Sequence, residues 1–192
     1  MKEFQVKVEN VVVFVSLGKK IPLLKISTKL EKAEYSPESF PGIVYRVREP
    51  RAATLIFSSG KIVCTGAKSP ELARKAVHKV VADMRKLGIR LPKTFRISVE
   101  NIVASTQIEI KRKLNLERIS FELENVEYEP EQFPGLVCRI SEPRVAFLVF
   151  GSGKIICTGA RNIEDIHTAL AKLKKKLEAI GVKAKPARWL SP

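Results

Sequence analysis

Cysteine is scarce in this chain, and its placement is unhelpful to chemistry. Only Cys64, Cys138 and Cys157 occur, and no two of them form a C-x-x-C pair. That removes the close-spaced ligand sets of zinc sites and the redox pair of thioredoxin-like proteins. An odd count without a framework fits reduced, buried thiols in a cytosolic chain. Histidine is scarcer still: His78 and His167 both fall in helical patterns with no nucleophile beside them. The acids are scattered, whereas metal-assisted hydrolysis needs them clustered. SSGK (58–61) and GSGK (151–154) lack the flanking glycine pattern of a phosphate loop. No catalytic residue, metal, cofactor or small-molecule substrate is therefore expected, and the chain reads as a non-enzyme. The opening MKEFQVKVEN carries charges throughout, unlike a signal peptide. No apolar run is long enough to span a bilayer, so no membrane partner is expected.

Acidic residues are also in short supply. Twenty Asp and Glu face 35 Lys and Arg, a net charge of +15 with a pI near 9.9. Such an excess points to a polyanionic partner, most often nucleic acid, the plain alternative being a surface charged for solubility or salt adaptation. Hydrophobic residues make up 45% of the chain, enough for one or two domains with a real core.

What the sequence does have, it has twice. SFPGIVYRVREPR (39–51) and FSSGKIVCTGA (57–67) return as QFPGLVCRISEPR (132–144) and FGSGKIICTGA (150–160). The offset is 93 residues from Tyr35/Tyr128 through Gly88/Gly181, and about two-thirds of positions in 35–68 are identical to their counterparts. Upstream, VENVV (8–12) matches VENIV (99–103) at an offset of 91, so the second copy holds two extra residues in between. Two copies of this size make a duplicated domain rather than a solenoid. The boundaries are set at 1–92 for the first repeat and 93–192 for the second, which includes a short basic C-terminal tail.

Each copy reads alike. A Val/Ile-rich strand opens it, QVKVENVVVFV or FRISVENIVAST. A short helical pattern follows, with Leu24, Ser27 and Leu30 in one copy and Leu116, Ile119 and Leu123 in the other. Three further strands come next, broken by Pro50 or Pro143, which cannot donate to a ladder. Ser-Ser-Gly-Lys and Gly-Ser-Gly-Lys are hairpin turns. A longer helix closes the copy: Ser69 caps the first, with Pro70 inside it and Gly88 past its end, and Asn162 and Gly181 do the same in the second. Leu72, Ala76, Val80 and Met84 form one inward stripe; Ile166, Leu170, Leu173, Leu177 and Ile180 form the other. The opposite faces are rich in Lys and Arg.

The strands are apolar on both faces, yet there is too little helix to cover both. One face should stay open, and a large open apolar face is a binding surface. In the opening strands, one parity carries Asn10 with Val12, and Asn101 with Val103. Two amides at matched places on greasy strands imply a shared task. Four phenylalanines also match: Phe40 and Phe133 precede Pro-Gly, and Phe57 and Phe150 end strands before their turns. Paired rings at sheet tips suit wedges better than a core.

With FPG, EPR, LIF-SSGK and CTGAK present twice and in order, the chain resembles the core of the TATA-box-binding proteins over nearly its full length. It lacks a long low-complexity N-terminal segment and so looks like an archaeal member, although it ends in KAKPARWLSP where many such relatives carry an acidic tail. The resemblance implies an α+β fold: a pseudo-two-fold saddle of two repeats, with a continuous curved antiparallel sheet, its concave face open and its helices on the convex face. It implies a general transcription initiation factor that binds double-stranded DNA in the minor groove of the A/T-rich TATA box. Members of this family are themselves an example behind the rule that apolar wedges kink DNA from the minor groove.

By matched position, the resemblance makes Asn10, Val12, Leu55, Val63, Thr65, Asn101, Val103, Leu148, Ile156 and Thr158 the minor-groove contacts. Phe40 with Phe57, and Phe133 with Phe150, would be the wedges. Arg46, Arg51, Lys61, Lys68, Arg139, Arg144, Lys154 and Arg161 would hold phosphates, which positions the protein without reading sequence. Ser39 stands where some relatives carry a further basic residue. Glu129 and Glu131 match the acidic loop that docks the B-type transcription initiation factor, through which RNA polymerase is recruited indirectly; the first copy has Ser36 in place of Glu129. A cytoplasmic, nucleoid-associated location goes with this role. Two other readings share the fold: an accessory module of a nucleic-acid enzyme, which lacks its clustered carboxylates here, and an RNA-binding sheet. The latter would favour aromatics in mid-strand, where this chain has Val and Asn.

Overall fold

Segments rich in β-branched residues become strands, and Gly, Pro and Ser clusters end them. The structure is a computed structural model that describes residues 4–187. In chain order it contains β1 (Lys7–Ser16), α1 (Leu23–Lys29), β2 (Ala33–Glu34), β3 (Gly42–Val47), β4 (Ala52–Phe57), β5 (Lys61–Ala67) and α2 (Pro70–Lys86). Then follow β6 (Ile97–Glu109), α3 (Leu116–Glu122), β7 (Val126–Glu127), β8 (Gly135–Ile140), β9 (Val145–Phe150), β10 (Lys154–Ala160), α4 (Ile163–Ala179) and β11 (Lys185–Pro186). The end of the basic C-terminal tail, 188–192, lies outside the described residues.

The chain forms two compact units, one of residues Asn10–Glu100 and one that joins the residues up to Glu9 to those from Asn101 onward. In the first, antiparallel strands run in the order β2-β3-β4-β5-β1. In the second the order is β7-β8-β9-β10-β6, with β11 added on β6. Neither half-sheet closes on itself. Helices α1 and α2 pack on β2–β5, and α3 and α4 on β8 and β10. The fold is thus α+β, with helices on one face of each sheet.

Burial follows the pleat, since alternate side chains point to opposite faces. Val11, Val13, Val15, Ile56, Ile62 and Cys64 are fully buried against Ala73, Val77, Val80 and Met84. Their neighbours Val12, Phe14, Leu55, Val63 and Thr65 are half-exposed. The second unit repeats this with Ile102, Ala104, Val149, Ile155 and Cys157 against Ile166, Leu170 and Leu173. The thiols are core groups: burial pushes Cys64 up to about 11 and Cys157 up to about 12. Burial also raises Cys138, with Lys176 opposing it.

At one cross-strand pair the two cores exchange a large and a small residue. Tyr45 lies opposite Thr54 in the first unit, and Cys138 lies opposite Phe147 in the second. One large and one small side chain fill the layer in each case, with the sizes exchanged between strands, so the volume is kept. The swap carries its own polar requirement. The Tyr45 hydroxyl donates to Asp83 Oδ2 at 3.1 Å, and Asp83 in turn takes Lys79 at 2.6 Å. The second unit has Cys138 in place of the Tyr45 phenol and holds Lys176 where the first holds Asp83.

The helix ends fall as their signals require. Ser69 Oγ accepts from the Leu72 amide at 3.1 Å, and Asn162 Oδ1 from the Asp165 amide at 2.7 Å. Gly88 and Gly181 follow α2 and α4 at φ +77° and +80°, a conformation that suits glycine. Two helix phases differ from the sequence expectation. Leu24 is 71% exposed, and α1 buries Leu23 and Ile26 instead, because the two-turn helix starts at Leu23 and its inward side recurs three residues on. Leu72 is 37% exposed, since α2 turns a wide inner face of Ala73, Ala76, Val77, Val80, Val81 and Met84 to the sheet and leaves Leu72 at its rim. Ile180 caps α4 and is only partly covered.

Candidate nucleic-acid interface

The uncovered face of each unit is organised in rows that cross the strands, because side chains directly opposite in an antiparallel pair lie about 4.5–5.5 Å apart at Cβ. The first row ends in aromatic rings. Gly42 pairs with Phe57 and Gly135 with Phe150. The Phe40 and Phe57 rings sit with centroids 5.7 Å apart at 63°, and Phe133 and Phe150 at 5.8 Å and 66°. A methyl group built on Gly42 would stand 2.9 Å from Phe40 Cε1 and 3.1 Å from Phe57 Cε1. On Gly135 it would stand 2.6 Å from Phe133 Cε1. The glycine of FPG therefore makes the seat in which the two rings meet edge to face, the arrangement their quadrupoles favour. Phe133 is 38% exposed although it is a large apolar ring.

The second row is aliphatic on its three outer strands and ends at Phe14 or Ser105 on the opening strand. Val44, Leu55, Val63 and Phe14 lie opposite one another across β3, β4, β5 and β1. Val137, Leu148, Ile156 and Ser105 do so across β8, β9, β10 and β6. Sequence reasoning named Leu55, Val63, Leu148 and Ile156 here, and its parity put Phe14 on the face of Asn10 and Val12, but it missed Val44 and Val137. Their parity along the strands was the available signal. Phe14 and Ser105 also break the match between copies, and Ser105 is buried with its hydroxyl donating to Glu9 Oε1 at 2.7 Å.

The third row is polar and runs from an arginine to an amide. Arg46, Ala53 and Thr65 are successive cross-strand partners, and Thr65 reaches Asn10. Arg139, Ala146 and Thr158 repeat this, and Thr158 reaches Asn101. The amides are held by the backbone. Asn10 Oδ1 accepts the Gly66 N–H at 2.6 Å, and Asn101 Oδ1 accepts the Gly159 N–H at 2.7 Å. The β1–β5 and β6–β10 registers shift at these points, and Gly66 and Gly159 take φ +92° and +98° there. Such a bulge with glycine in a left-handed conformation re-aims a local group. With the oxygen committed, one Nδ2 hydrogen goes to Thr65 Oγ1 at 3.0 Å, or to Thr158 Oγ1 at 3.2 Å. The amide has a second N–H, so each centre presents a donor. Val12 and Val103 flank the amides on the same half-exposed face.

Arg46 and Arg139 also belong to a basic rim. Arg46, Arg51, Lys61, Arg139, Arg144 and Lys154 are all exposed, as are Lys68 and Arg161 at the strand ends. Arg46 is steered by Glu34 at 3.6 Å, and Arg139 by Glu127 at 3.5 Å. Arg139 and Arg144 border a cleft of about 630 Å³ that reaches Thr158; Arg46 and Arg51, with Arg48 and Lys32, border one of about 480 Å³. Glu129 and Glu131 lie exposed on the loop before β8, where the Gln132 and Phe133 amides both close on Glu129 O at 2.9 Å. The same turn at Ser36 O holds the Ser39 and Phe40 amides, so the two loops share a backbone and differ in charge. No group of three or more potential metal ligands occurs among the described residues, and no helix there is long and apolar enough to cross a membrane.

Comparison with known proteins shows the family. The family model described as "Transcription factor TFIID (or TATA-binding protein, TBP)" matches residues 5–87 and again 96–180. The TATA-box-binding protein of Methanosphaera stadtmanae is 48% identical over 92% of this chain and 96% of its own length. That of Archaeoglobus fulgidus is 46% identical over 95% of this chain and all of its own. The solved structure of Methanococcus jannaschii TBP superposes with a TM-score of 0.84 at 43% identity, covering 91% of this chain and 99% of that one. A family of transcription factors, not of enzymes, is what these matches describe. The chain belongs to the TATA-binding protein family.

Proposed function

We propose that this chain is a general transcription initiation factor that binds the TATA box through the minor groove, each open face taking one half of the box. The observation that carries the reading is the pair of amides whose oxygens are tied to Gly66 and Gly159, leaving N–H donors amid aliphatic rows. In the minor groove A·T and T·A pairs offer only acceptors, N3 and O2, whereas guanine adds an N2 donor. A donor set in an apolar surface accepts the first and is repelled by the second. Leu55, Val63, Leu148 and Ile156 press on sugars and base edges, and Thr65 and Thr158 add to the central contacts. Phe40 with Phe57, and Phe133 with Phe150, enter one base step at each end. Unstacking there costs a few kcal/mol per step, offset by the surface the bent duplex then covers. Arg46, Arg51, Lys61, Lys68, Arg139, Arg144, Lys154 and Arg161 take phosphates along both edges. Selection from random duplexes should return A·T-rich boxes of near-two-fold symmetry; enrichment of G·C-containing boxes at the centre would refute the reading.

A near-symmetric surface orients itself poorly on a near-symmetric box, and direction requires a partner. Glu129 and Glu131 supply a one-sided acidic loop for the B-type initiation factor, through which polymerase follows. Glu131→Arg is expected to leave duplex binding intact while abolishing the ternary complex in a gel shift. A retained ternary complex would remove the loop from that role.

A further inference from the structure

Between equivalent anchor residues on the way from the opening strand to the short helix, Leu17 to Ile21 in the first copy and Ile108 to Leu114 in the second, the second copy holds two more residues. Where the first copy has Gly18-Lys19-Lys20, the second has Glu109-Ile110-Lys111-Arg112-Lys113. Both connections are anchored to the hairpin that bears the second Phe of each pair. The Leu17 and Ile21 amides donate to Gly60 O and Ser58 O at 2.9 Å. The Ile108 and Leu114 amides donate to Gly153 O at 3.0 Å and Gly151 O at 2.9 Å. With both ends pinned, the stretch starts from Glu109 at the end of β6 and leaves Lys111, Arg112 and Lys113 exposed beside the Phe150 turn.

The second unit adds one more element at this place. Strand β11 pairs Lys185 with Glu109 and Pro186 with Ile108. That brings Lys183 and Lys185 to the loop, and the two segments enclose a groove of about 480 Å³. Lys111, Arg112, Lys113, Lys183 and Lys185 line it, against Glu109 as its single acid. None of the five cations has an ion-pair partner among the described residues. A groove that gathers unpaired cations is held open against their mutual repulsion and gains most from an anionic chain.

We propose that this groove takes backbone phosphates of the duplex just beyond the base step entered by Phe133 and Phe150. The second-repeat end of the complex then holds a longer stretch of DNA than the first. The inference rests on the minor-groove reading above. It commits to DNA rather than to an acidic peptide because the loop is hydrogen-bonded to the very turn that carries a wedge ring.

The test uses the full chain with Lys111→Ala, Arg112→Ala and Lys113→Ala combined, against two duplexes. One ends at the box and the other extends it by roughly one helical turn, about 10 base pairs, on both sides. Each phosphate contact contributes about 0.9 to the slope of log K against log salt. On the long duplex the variant should show a slope smaller by roughly 2–3 than wild type, while the short duplex shows no difference. Hydroxyl-radical protection by wild type should run further past one end of the box than the other, and the variant should lose that excess. Equal slopes on the long duplex, or equal losses on both duplexes, would overturn the proposal. So would an unchanged slope with loss of the ternary complex, which would assign the groove to an acidic protein surface. Failure of wild type to bind either duplex would instead sink the minor-groove reading itself.

Discussion

Replacing Phe57 and Phe150 together with alanine should leave a complex on the A·T box that is far less bent than that of wild type. The rings stand at the ends of β4 and β9, where each meets its partner edge to face over a glycine. Removing one ring from each pair halves the wedge and leaves Phe40 and Phe133 without the neighbour that fixes their tilt. The expected readout is energy transfer between dyes at the two ends of a labelled duplex, with efficiency falling towards that of free DNA. Affinity should fall too, because the unbent duplex covers less of the aliphatic rows. An undiminished bend would show that the rings do not enter base steps. Gly135→Ala gives an independent approach to the same geometry. Its methyl would lie 2.6 Å from Phe133 Cε1, so the ring must leave its seat. That variant should reduce bending through one end only, with both rings still present.

The second large effect concerns the amides. Asn10→Ala and Asn101→Ala should each weaken binding to an A·T box by about 1–3 kcal/mol, roughly 5–150-fold. The more telling readout is discrimination. Wild type should reject a G·C pair at the centre of the box, and the double variant should reject it far less, because the donor that opposes guanine N2 is gone. Unchanged discrimination would remove the amides from sequence reading. The alanine variants also leave the Gly66 and Gly159 amides without their Oδ1 acceptor, which has a cost in the free protein. Thermal melting without DNA separates that cost from lost recognition. Asn10→Asp keeps an acceptor for Gly66 while removing the donor, so it should lose binding without the same loss of bulge geometry.

The duplication, the alternation that leaves one strand face half-exposed, the matched amides and the four matched phenylalanines are all readable along the chain. These were legible because they depend on local rules: a period of two along strands, caps and turn residues at helix ends, and identity between copies. Tertiary structure decided what lies across from what. That Gly42 and Gly135 are ring seats, and that Arg46, Ala53, Thr65 and Asn10 form one row, follows from strand register, which a single chain segment does not encode. The inward phase of α1 and α2 was likewise set by where each helix meets the sheet, which moved Leu24 and Leu72 outward. The basic groove beside the Phe150 turn was invisible for the same reason. Its two halves are about 70 residues apart in sequence, and only the pairing of β11 with β6 brings their charges together.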